Sequence, residues 1–508
     1  MGEILGLLFD GFGVALQWHN IAYMTVGVSL GTVFGCIPGL GPTNGIAILL
    51  PVTFVIPPTS AIIFLSAIYY GGCYGGAIAS ICLNIPGTPM AAATALDGYP
   101  MAKKGLGSEA LVAAAWGSFY GGTIAMVLFT FFAPPLADFA LRFGPQEYFS
   151  IMMLAFATFA GLAGRNIWKT LITTIMGLVF ATIGIDIVTG SPRLIYGMTS
   201  LMNGISFLVA VVGLWGVAEL MATAELSLEF KILQPKFSYG TVFKTIWRCV
   251  KFVKASWIGS VVGFFVGTLP AAGATPAAFI CYGLVKSSAP ADKQDLFGTG
   301  YIEGVVTPEC ANNAASTGSM LPLFTLGVPG SPTAAVLLGG LLVWGLQPGP
   351  LLFLEQKEFV WGLIASLYTG NLVAVLLNLF AIPVFVSILR IPFTILAPII
   401  AVLCLISGYA MNNNFFDIWL VMVFAIMGFV FKKLDYPLAP LILALVLGPM
   451  TERALRQSLI ISAGDPTVFF TRPISGTIMV MSALLCVLPF ITVALSKKKD
   501  VGEGEVSS

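Results

Sequence analysis

The sequence predicts an all-α, polytopic membrane protein built from two related halves whose helices are interrupted. Its 508 residues are 57% hydrophobic and 9% charged, whereas a soluble domain carries about 25% charged residues. Apolar stretches at residues 111–133, 359–382 and 474–495 are long enough to cross about 30 Å of hydrocarbon. The net charge of +1 gives no indication of nucleic-acid binding.

Two motifs that contain Gly and Pro each occur once in either half. GCIPGLGPT at residues 35–43 matches GTLPAAGAT at residues 267–275, with the shared pattern Gly-x-x-Pro-x-x-Gly-x-Thr. PGTP at residues 86–89 matches PGSP at residues 329–332. Because Gly and Pro interrupt helices, breaks at corresponding places of two halves indicate the binding site of a transporter.

A third match, between the segments that follow Trp168 and Trp419, defines the extent of the duplication. The three pairs of motifs are separated by 232, 243 and 251 residues, a steady increase that small insertions would produce. We therefore predict halves at residues 20–224 and 257–470. The other predicted segments are an N-terminal periplasmic or interfacial segment (1–19), a basic linker (225–256), a final transmembrane helix (471–496) and a tail (497–508).

The distribution of Lys and Arg predicts the orientation, because these residues accumulate on the cytoplasmic side. The linker carries six basic residues and the tail carries Lys497, Lys498 and Lys499, so both are predicted to be cytoplasmic. Equivalent loops of the two halves carry opposite charge bias, as inverted-topology repeats require. Arg453, Arg456 and Arg472 do not fit, since the same scheme places them outside.

Counting from the linker predicts an external N-terminus, with helices near residues 110–133, 147–164, 169–186, 203–221, 359–386, 393–410, 418–431, 436–449 and 475–495. No Lys or Arg precedes the first apolar residues, so a cleaved signal peptide is not expected. The eight cysteines form no C-x-x-C pair and are expected to be small buried apolar residues.

The interrupted segments predict a site for an anion and for cations. Irregular backbone survives within a membrane only inside protein or beside a water-filled cavity, and the N-terminus of a half-helix attracts anions. The predicted substrate-binding residues are Pro38, Gly39, Gly41, Thr43, Asn44, Pro86, Gly87, Thr88, Gly273, Thr275, Asn313, Pro329, Gly330 and Ser331. The predicted Na⁺ ligands, chosen as hard oxygen donors, are Asn44, Asn84, Thr88, Thr275, Asn312, Ser331 and Thr333. Since residues 1–102 contain no Lys or Arg, bound Na⁺ would offset the charge of the substrate.

Several of these features have simpler explanations. A single break is also explained by a helix kink or a close helix crossing, and the duplication is what favours a site. Asp97 and Glu109 are expected to be solvated charges at the membrane interface. Glu303 and Glu309, which come just before Asn312, either lie at the interface or structure the site. His19 is expected to be an interfacial polar residue rather than a proton relay.

Long stretches of the sequence resemble one known family, the large membrane (permease) subunit of the tripartite tricarboxylate transporters. They are residues 37–54 (IPGLGPTNGIAILLPVTF), residues 69–101 (with NIPGTP and ALDGYPM), residues 303–332 (with EGVVTPECANNAAST and TLGVPGSP) and residues 345–353 (GLQPGPLLF). The resemblance covers roughly residues 20–480.

The resemblance implies a cation-coupled importer in a bacterial inner membrane that handles citrate and other small organic carboxylates. It also implies two partners, a small four-helix membrane subunit and a periplasmic substrate-binding protein. Re-entrant hairpins would move the substrate by an elevator-type displacement against a scaffold.

Three alternatives remain open. The chain could be the large subunit of another binding-protein-dependent carboxylate system. A channel would need a continuous polar path rather than polar residues clustered at breaks. A membrane enzyme or assembly scaffold is disfavoured, because the sequence has one histidine, no H-E-x-x-H motif, no P-loop and no nucleophile–base pair.

Overall fold

The computed structural model describes residues 2–161, 166–186, 188–225, 233, 238–270 and 272–487. Eight helices among these residues are long and apolar enough to cross a membrane, which confirms a polytopic α-helical protein. The chain divides into two compact units: unit 1 comprises residues 1–141 and 208–430, and unit 2 comprises residues 142–207 and 431–508. Each unit takes segments from both halves of the sequence.

Helices make up most of the described chain. In order they are α1 (Gly2–Ala15), α2 (Trp18–Cys36), α3 (Gly41–Leu49), α4 (Pro58–Leu83), α5 (Ala92–Lys103), α6 (Gly107–Ala140), α7 (Pro145–Gly161), α8 (Ile167–Ala181), α9 (Phe207–Val211), α10 (Ala218–Glu225), α11 (Tyr239–Cys249), α12 (Val253–Thr268), α13 (Ala274–Ser288), α14 (Ala291–Gln294), α15 (Glu303–Leu326), α16 (Pro332–Val343), α17 (Pro350–Glu355), α18 (Lys357–Phe380), α19 (Ile382–Ile388), α20 (Phe393–Asn412), α21 (Phe415–Lys433), α22 (Leu438–Ile461), α23 (Val468–Thr471) and α24 (Pro473–Val487). A π-helical turn joins α9 to α10, and a 3-10 turn joins α11 to α12. Two short strands, β1 (Gly184–Ile185) and β2 (Pro192–Arg193), pair antiparallel with Gly184 opposite Arg193.

The first duplicated motif interrupts a helix in both halves. Break A, residues 37–40, separates α2 from α3, and break A′, residues 269–273, separates α12 from α13. Ala271 lies outside the described residues. Gly41 and Gly273 have φ values of +62° and +65°, a region that residues with a Cβ atom rarely adopt. The glycines of the motif are therefore required by the turn itself.

The second duplicated motif also interrupts a helix in both halves. Break B, residues 84–88, follows α4, and break B′, residues 327–331, follows α15. Asn84 and Gly327 end these helices in the left-handed conformation, a common way for a helix to terminate. Thr88 and Ser331 are both extended and precede a proline that starts the next helix.

Glycines spaced four residues apart bring α2 directly against α4. A Cβ atom added to Gly27, Gly31 or Gly35 would overlap the carbonyl oxygens of Phe64, Ile68 and Gly72, respectively. Residue numbers rise together, so the two helices are parallel, and small residues at this spacing are typical of close helix packing in membranes.

Helix α3 returns along α4 after break A. Pro42 lies against Gly72, and Gly45 lies against Ile68, so residue numbers now run in opposite directions. We call α2, break A and α3 the first hairpin.

The second half repeats this arrangement. Added Cβ atoms at Gly259, Gly263 and Gly267 of α12 would meet the carbonyl oxygens of Thr307, Ala311 and Ala315 of α15. Helix α13 returns along α12, because the Cys281 thiol lies 3.8 Å from the carbonyl oxygen of Gly259. We call α12, break A′ and α13 the second hairpin.

Helices α4 and α15 form the centre of unit 1, where residues 60–82 and 304–325 are all buried. They meet through polar side chains: the Tyr69 hydroxyl lies 3.3 Å from that of Ser319, and the Cys73 thiol lies 3.3 Å from the Ser316 hydroxyl. The residue numbers on α4 rise as those on α15 fall, so these two helices run in opposite directions.

Unit 2 contains ion pairs between the buried carboxylates of Asp186 and Glu147 and two of the arginines that did not fit the predicted orientation. Arg456 contacts Asp186 at 2.9 Å and Glu452 at 2.7 Å, and Arg472 contacts Glu147 at 2.7 Å. The backbone amides of Thr189 and Val188, together with Arg456, hold the pKa of Asp186 well below its usual range. The placement of Arg456 and Arg472 is therefore fixed by ion pairs within the protein.

Three predictions about the ends and the linker are only partly covered by the structure. Segment 1–19 contains helix α1, whose Gly11 packs on the backbone of Trp361. The final helix is described as Pro473–Val487, within the predicted range 471–496. Lys231 and Lys236 of the linker and the three tail lysines lie outside the described residues.

The glycine contacts predict a sharp effect of adding one methyl group. Gly31→Ala is expected to lower the melting temperature in detergent, because overpacking costs about 1–3 kcal/mol. The matched control is Gly283→Ala in α13, where no atom lies within 4 Å of the added Cβ and a helical Ala stabilises. Equal melting temperatures for the two variants would contradict the close approach of α2 to α4.

Candidate functional site

The two breaks of each half lie directly against one another. A Cβ atom on Gly87 would overlap the carbonyl oxygen of Gly35, so break B crosses the end of α2 backbone to backbone. A Cβ atom on Gly41 would lie 3.6 Å from the Thr88 side chain. Breaks A and B therefore form one continuous irregular region enclosed by protein, as membrane burial requires.

The second half forms the equivalent contacts. A Cβ atom on Gly330 would approach the carbonyl oxygen of Gly267 to 2.5 Å, and one on Gly273 would lie 3.7 Å from Ser331. The amide of Gly273 donates a hydrogen bond to the carbonyl of Gly330 at 3.2 Å. The same four motif positions thus make the same approach in both halves.

Side chains from the two halves also meet at the breaks. The hydroxyl groups of Thr43 and Thr333 are 2.7 Å apart, which joins the start of α3 to the start of α16. The Tyr69 hydroxyl lies 3.0 Å from that of Ser331. All four breaks therefore border one region of unit 1.

Most of the predicted site residues lie in this region, with one exception. Gly41, Asn44, Gly87, Thr88, Gly273, Asn312, Asn313, Pro329, Gly330, Ser331 and Thr333 are buried, and Pro38, Gly39, Thr43, Pro86 and Thr275 are half-buried. Asn84 is exposed and terminates α4, so its position is explained by helix termination. The assignment of these residues to substrate or cation binding stays a prediction.

Four buried polar atoms of the predicted site have no hydrogen-bond partner among the described residues. They are Asn44 Oδ1, Thr88 Oγ1, Asn312 Nδ2 and Asn313 Oδ1. All four side chains are at most 3% exposed. Leaving such a group unpaired costs about 1–3 kcal/mol, so each atom requires an explanation. The three oxygens suit a hard cation such as Na⁺, and the amide nitrogen suits a carboxylate oxygen.

Glu309 structures the junction of the two halves, which decides between the two roles left open above. Its carboxylate is fully buried and accepts hydrogen bonds from Thr94 at 2.5 Å and Ser118 at 2.9 Å. Asn313 Nδ2 donates to the Glu309 carbonyl at 3.2 Å and to Asn312 Oδ1 at 2.5 Å. Asn312 Nδ2 lies near the Glu309 carboxylate outside hydrogen-bond geometry.

The expectation that Asp97 is a solvated interface charge is wrong. Its side chain is fully buried and accepts hydrogen bonds from the Tyr282 hydroxyl at 2.8 Å and from the amides of Gly298, Gly300 and Tyr301 at 2.7–3.0 Å. It therefore anchors the loop that leads into α15. Glu109 forms an ion pair with Arg248.

Sequence reasoning missed two features beside the breaks. The glycines at residues 27, 31 and 35 match those at 259, 263 and 267 at the same separation of 232 residues as the first motif, a signal that would have revealed the helix contacts. Tyr69 and Tyr70 lie in an apolar run without a motif of their own. Only alignment of α4 with α15 at the separation of 243 residues pairs them with Asn312 and Asn313.

Comparisons with known proteins give one family and several relatives. The family model described as "Tripartite tricarboxylate transporter TctA family" matches residues 21–443. A 52.8 kDa uncharacterized protein in the TAR-I ttuC' 3'region of Agrobacterium vitis is 39% identical over 500 residues, which cover 98% of this chain and 99% of the relative. No solved structure gives a significant match.

Two partial relatives are also found. An uncharacterized protein in the TAR-II ttuC' 3'region of the same organism is 41% identical over 240 residues, or 47% of this chain and 97% of the relative. The uncharacterized protein MJ1079 of Methanocaldococcus jannaschii is 25% identical over 261 residues, or 49% of this chain and 58% of the relative.

The hydrogen bonds of Glu309 predict different outcomes for two substitutions. Glu309→Gln keeps the shape and can retain both hydrogen bonds if one hydroxyl reverses its role, so its melting temperature is expected to stay near that of the wild type. Glu309→Ala removes the acceptor to which the hydroxyl groups of Thr94 and Ser118 donate. It is expected to destabilise the protein by about 1–3 kcal/mol. A Gln variant as unstable as the Ala variant would contradict this account.

Proposed function

The chain belongs to the tripartite tricarboxylate transporter TctA family, and we propose that it imports small organic tri- and dicarboxylates such as citrate as the large membrane subunit of a cation-coupled secondary carrier. The family recognised from the motifs is thereby confirmed. It is a family of transporters rather than enzymes, and the chain is one of several subunits of its system. The substrate, the coupling ion and the identity of the partners belong to the proposal.

The observation that carries this proposal is the meeting of four breaks beside unpartnered buried polar atoms, without any basic side chain nearby in the sequence. The four breaks lie within residues 1–102, 255–285 and 294–356, and these stretches of the sequence contain no Lys or Arg. A carboxylate there would be held by hydroxyl and amide donors and by the N-termini of half-helices. Without a fixed positive charge, a bound cation would complete its neutralisation.

We take Na⁺ as the coupling ion. Asn44 Oδ1, Thr88 Oγ1 and Asn313 Oδ1 supply unpaired oxygens, and breaks free carbonyl groups that can add to them. Because the cation would stabilise the bound anion, the two would bind together, which is the thermodynamic basis of symport.

The proposed mechanism uses two inverted-topology repeats. Its support is that α4 and α15 run in opposite directions and that the first arm of each hairpin, α2 or α12, runs parallel to its own central helix. The start of α3 touches α16, and α13 packs on the 3-10 turn after break B, as a two-fold relation between the halves would produce. Both duplicated motifs, and with them the two hairpins, would belong to the moving part of an elevator-type carrier. The helices that contain Trp168 and Trp419 would belong to the scaffold or to its junction with the moving part.

The expected setting is the inner membrane of a bacterium, with the linker 225–256 and the C-terminus in the cytoplasm. A small four-helix membrane subunit and a periplasmic substrate-binding protein are the proposed partners. The positive charges of the linker support this orientation.

Transport by reconstituted protein tests the function directly. Proteoliposomes that contain both membrane subunits, supplied with the cognate binding protein, are expected to exchange labelled citrate for internal citrate and to accumulate it in a Na⁺ gradient. Replacing Na⁺ with choline at fixed pH is expected to abolish accumulation. Uptake that is equal in choline would refute Na⁺ coupling, and equilibration without counterflow would indicate a channel.

Substituting the left-handed glycines tests whether the breaks form the site. Gly41→Val and Gly273→Val are expected to abolish counterflow while membrane insertion persists, because valine strongly disfavours their positive φ values. The matched control is Gly190→Val in the β1–β2 loop, which has a φ of +69° and no atom within 4 Å of an added Cβ. Transport is expected to survive in this control. Wild-type transport in both break variants would exclude breaks A and A′ from the site.

A further inference from the structure

Helices α4 and α15 place different side chains at equivalent positions beside breaks B and B′. Contacts fix the register between α4 and α15. Gly35 packs on Gly72 of α4, and the equivalent Gly267 packs on Ala315 of α15. Gly72 and Ala315 are therefore counterparts, 243 residues apart. Thr88 lies against Gly76 of α4, and Ser331 donates a hydrogen bond to Ser319 of α15. Gly76 and Ser319 are again 243 residues apart, as are Thr88 and Ser331.

In this register, Tyr69 is the counterpart of Asn312, and Tyr70 is the counterpart of Asn313. Cys73 and Ser316 are counterparts of each other, and they touch at 3.3 Å. Breaks B and B′ therefore lie on either side of this contact. The aromatic pair borders break B′ through Tyr69, and the register places the short amide pair at the corresponding position beside break B.

Break B′ is filled by the protein itself. The Tyr69 hydroxyl lies 3.0 Å from the Ser331 hydroxyl and 3.3 Å from that of Ser319. Ser331 also caps α16 by accepting a hydrogen bond from the amide of Ala334 at 3.1 Å. The hydroxyl groups of Ser331 and Ser319 at this break are thus satisfied within the protein.

Break B lacks the corresponding occupant. Thr88 makes no side-chain capping bond, its Oγ1 has no partner within the described chain, and Asn312 Nδ2 has none either. Both residues are fully buried. Asn312 lacks the ring and hydroxyl with which Tyr69 reaches Ser331, so among the residues that the structure describes no equivalent group satisfies Thr88.

We propose that the carrier has one ligand-binding half-site, at break B, and that Tyr69 permanently occupies the equivalent position at break B′. This inference rests on the proposed function and assigns the binding to one of the two repeats. A carboxylate oxygen of the substrate takes the place that the Tyr69 hydroxyl takes at B′, where it accepts hydrogen bonds from the Thr88 hydroxyl and Asn312 Nδ2. The N-terminus of the helical segment that starts at Pro89 adds a favourable dipole.

Side-chain substitutions at breaks B and B′ distinguish binding at break B alone from binding at both breaks. Thr88→Val and Asn312→Ala are expected to raise the citrate concentration for half-maximal counterflow at least about tenfold, as loss of a hydrogen bond to a charged group predicts. Thr88→Ser keeps the hydroxyl and is expected to raise this concentration less than Thr88→Val does. Tyr69→Phe is the matched control at break B′. It is expected to leave that concentration unchanged and to lower the melting temperature, since Ser331 and Ser319 lose a partner.

Asn312→Tyr places a tyrosine beside break B, at the position that corresponds to Tyr69 beside break B′. It is expected to abolish citrate counterflow while the melting temperature stays the same or rises, because the new phenol fills space and satisfies Thr88. A marked loss of thermal stability would show that break B has no room for a ligand and would overturn the inference. Equal increases in the half-maximal concentration for Tyr69→Phe and Thr88→Val would also overturn it, since both breaks would then bind.

The proposed function can fail separately. If wild-type proteoliposomes show no counterflow with citrate or any other di- or tricarboxylate, the carrier function is wrong. The melting temperatures of Asn312→Tyr and Tyr69→Phe still decide whether break B is open and break B′ is filled, since those measurements need no substrate.

Discussion

The structure of unit 1 depends on direct backbone contact between helices at glycine. Lipid offers no hydrogen bonds to an interrupted helix, so a break can persist only where other backbone and side chains enclose it. The glycines of α2 and α12 allow both hairpins to lie against the central helices α4 and α15. Gly87 and Gly330 then allow the second break of each half to cross the end of the first helix. Without these approaches, the four breaks would not meet.

The enclosed region combines polar groups with a lack of fixed positive charge. Hydroxyl and amide side chains from both halves meet there, and Glu309 ties α15 to α5 and α6 through hydroxyl donors. In the proposed function, this region would bind a carboxylate through oriented dipoles, with a cation beside it. Such a site would release its ligand more readily than one built on a buried arginine, because no ion pair with a fixed positive charge would have to be broken.

The duplication produces similar backbones but different side chains. Breaks A and A′ share a glycine with positive φ, Gly41 or Gly273. Breaks B and B′ both follow a helix that ends in the left-handed conformation. At the centre, however, Tyr69 faces Ser331, while its counterpart Asn312 leaves Thr88 unpaired. In the proposed arrangement, the two repeats therefore do not form two equal sites, because one repeat uses its own side chain where the other would accept a ligand.

The sequence by itself determined the membrane class, the two interrupted helices in each half and the family, because Gly and Pro in apolar segments have strong local consequences. It also located most of the polar residues that border the breaks. Only the tertiary structure decided which of them are already paired, since hydrogen bonding depends on residues distant in the chain. Asp97 is the clearest case: its neighbours in the sequence indicated a solvated charge, but the loop at residues 298–301 buries it. Tyr69 likewise has no local signal, and its role becomes visible only where α4 meets α15.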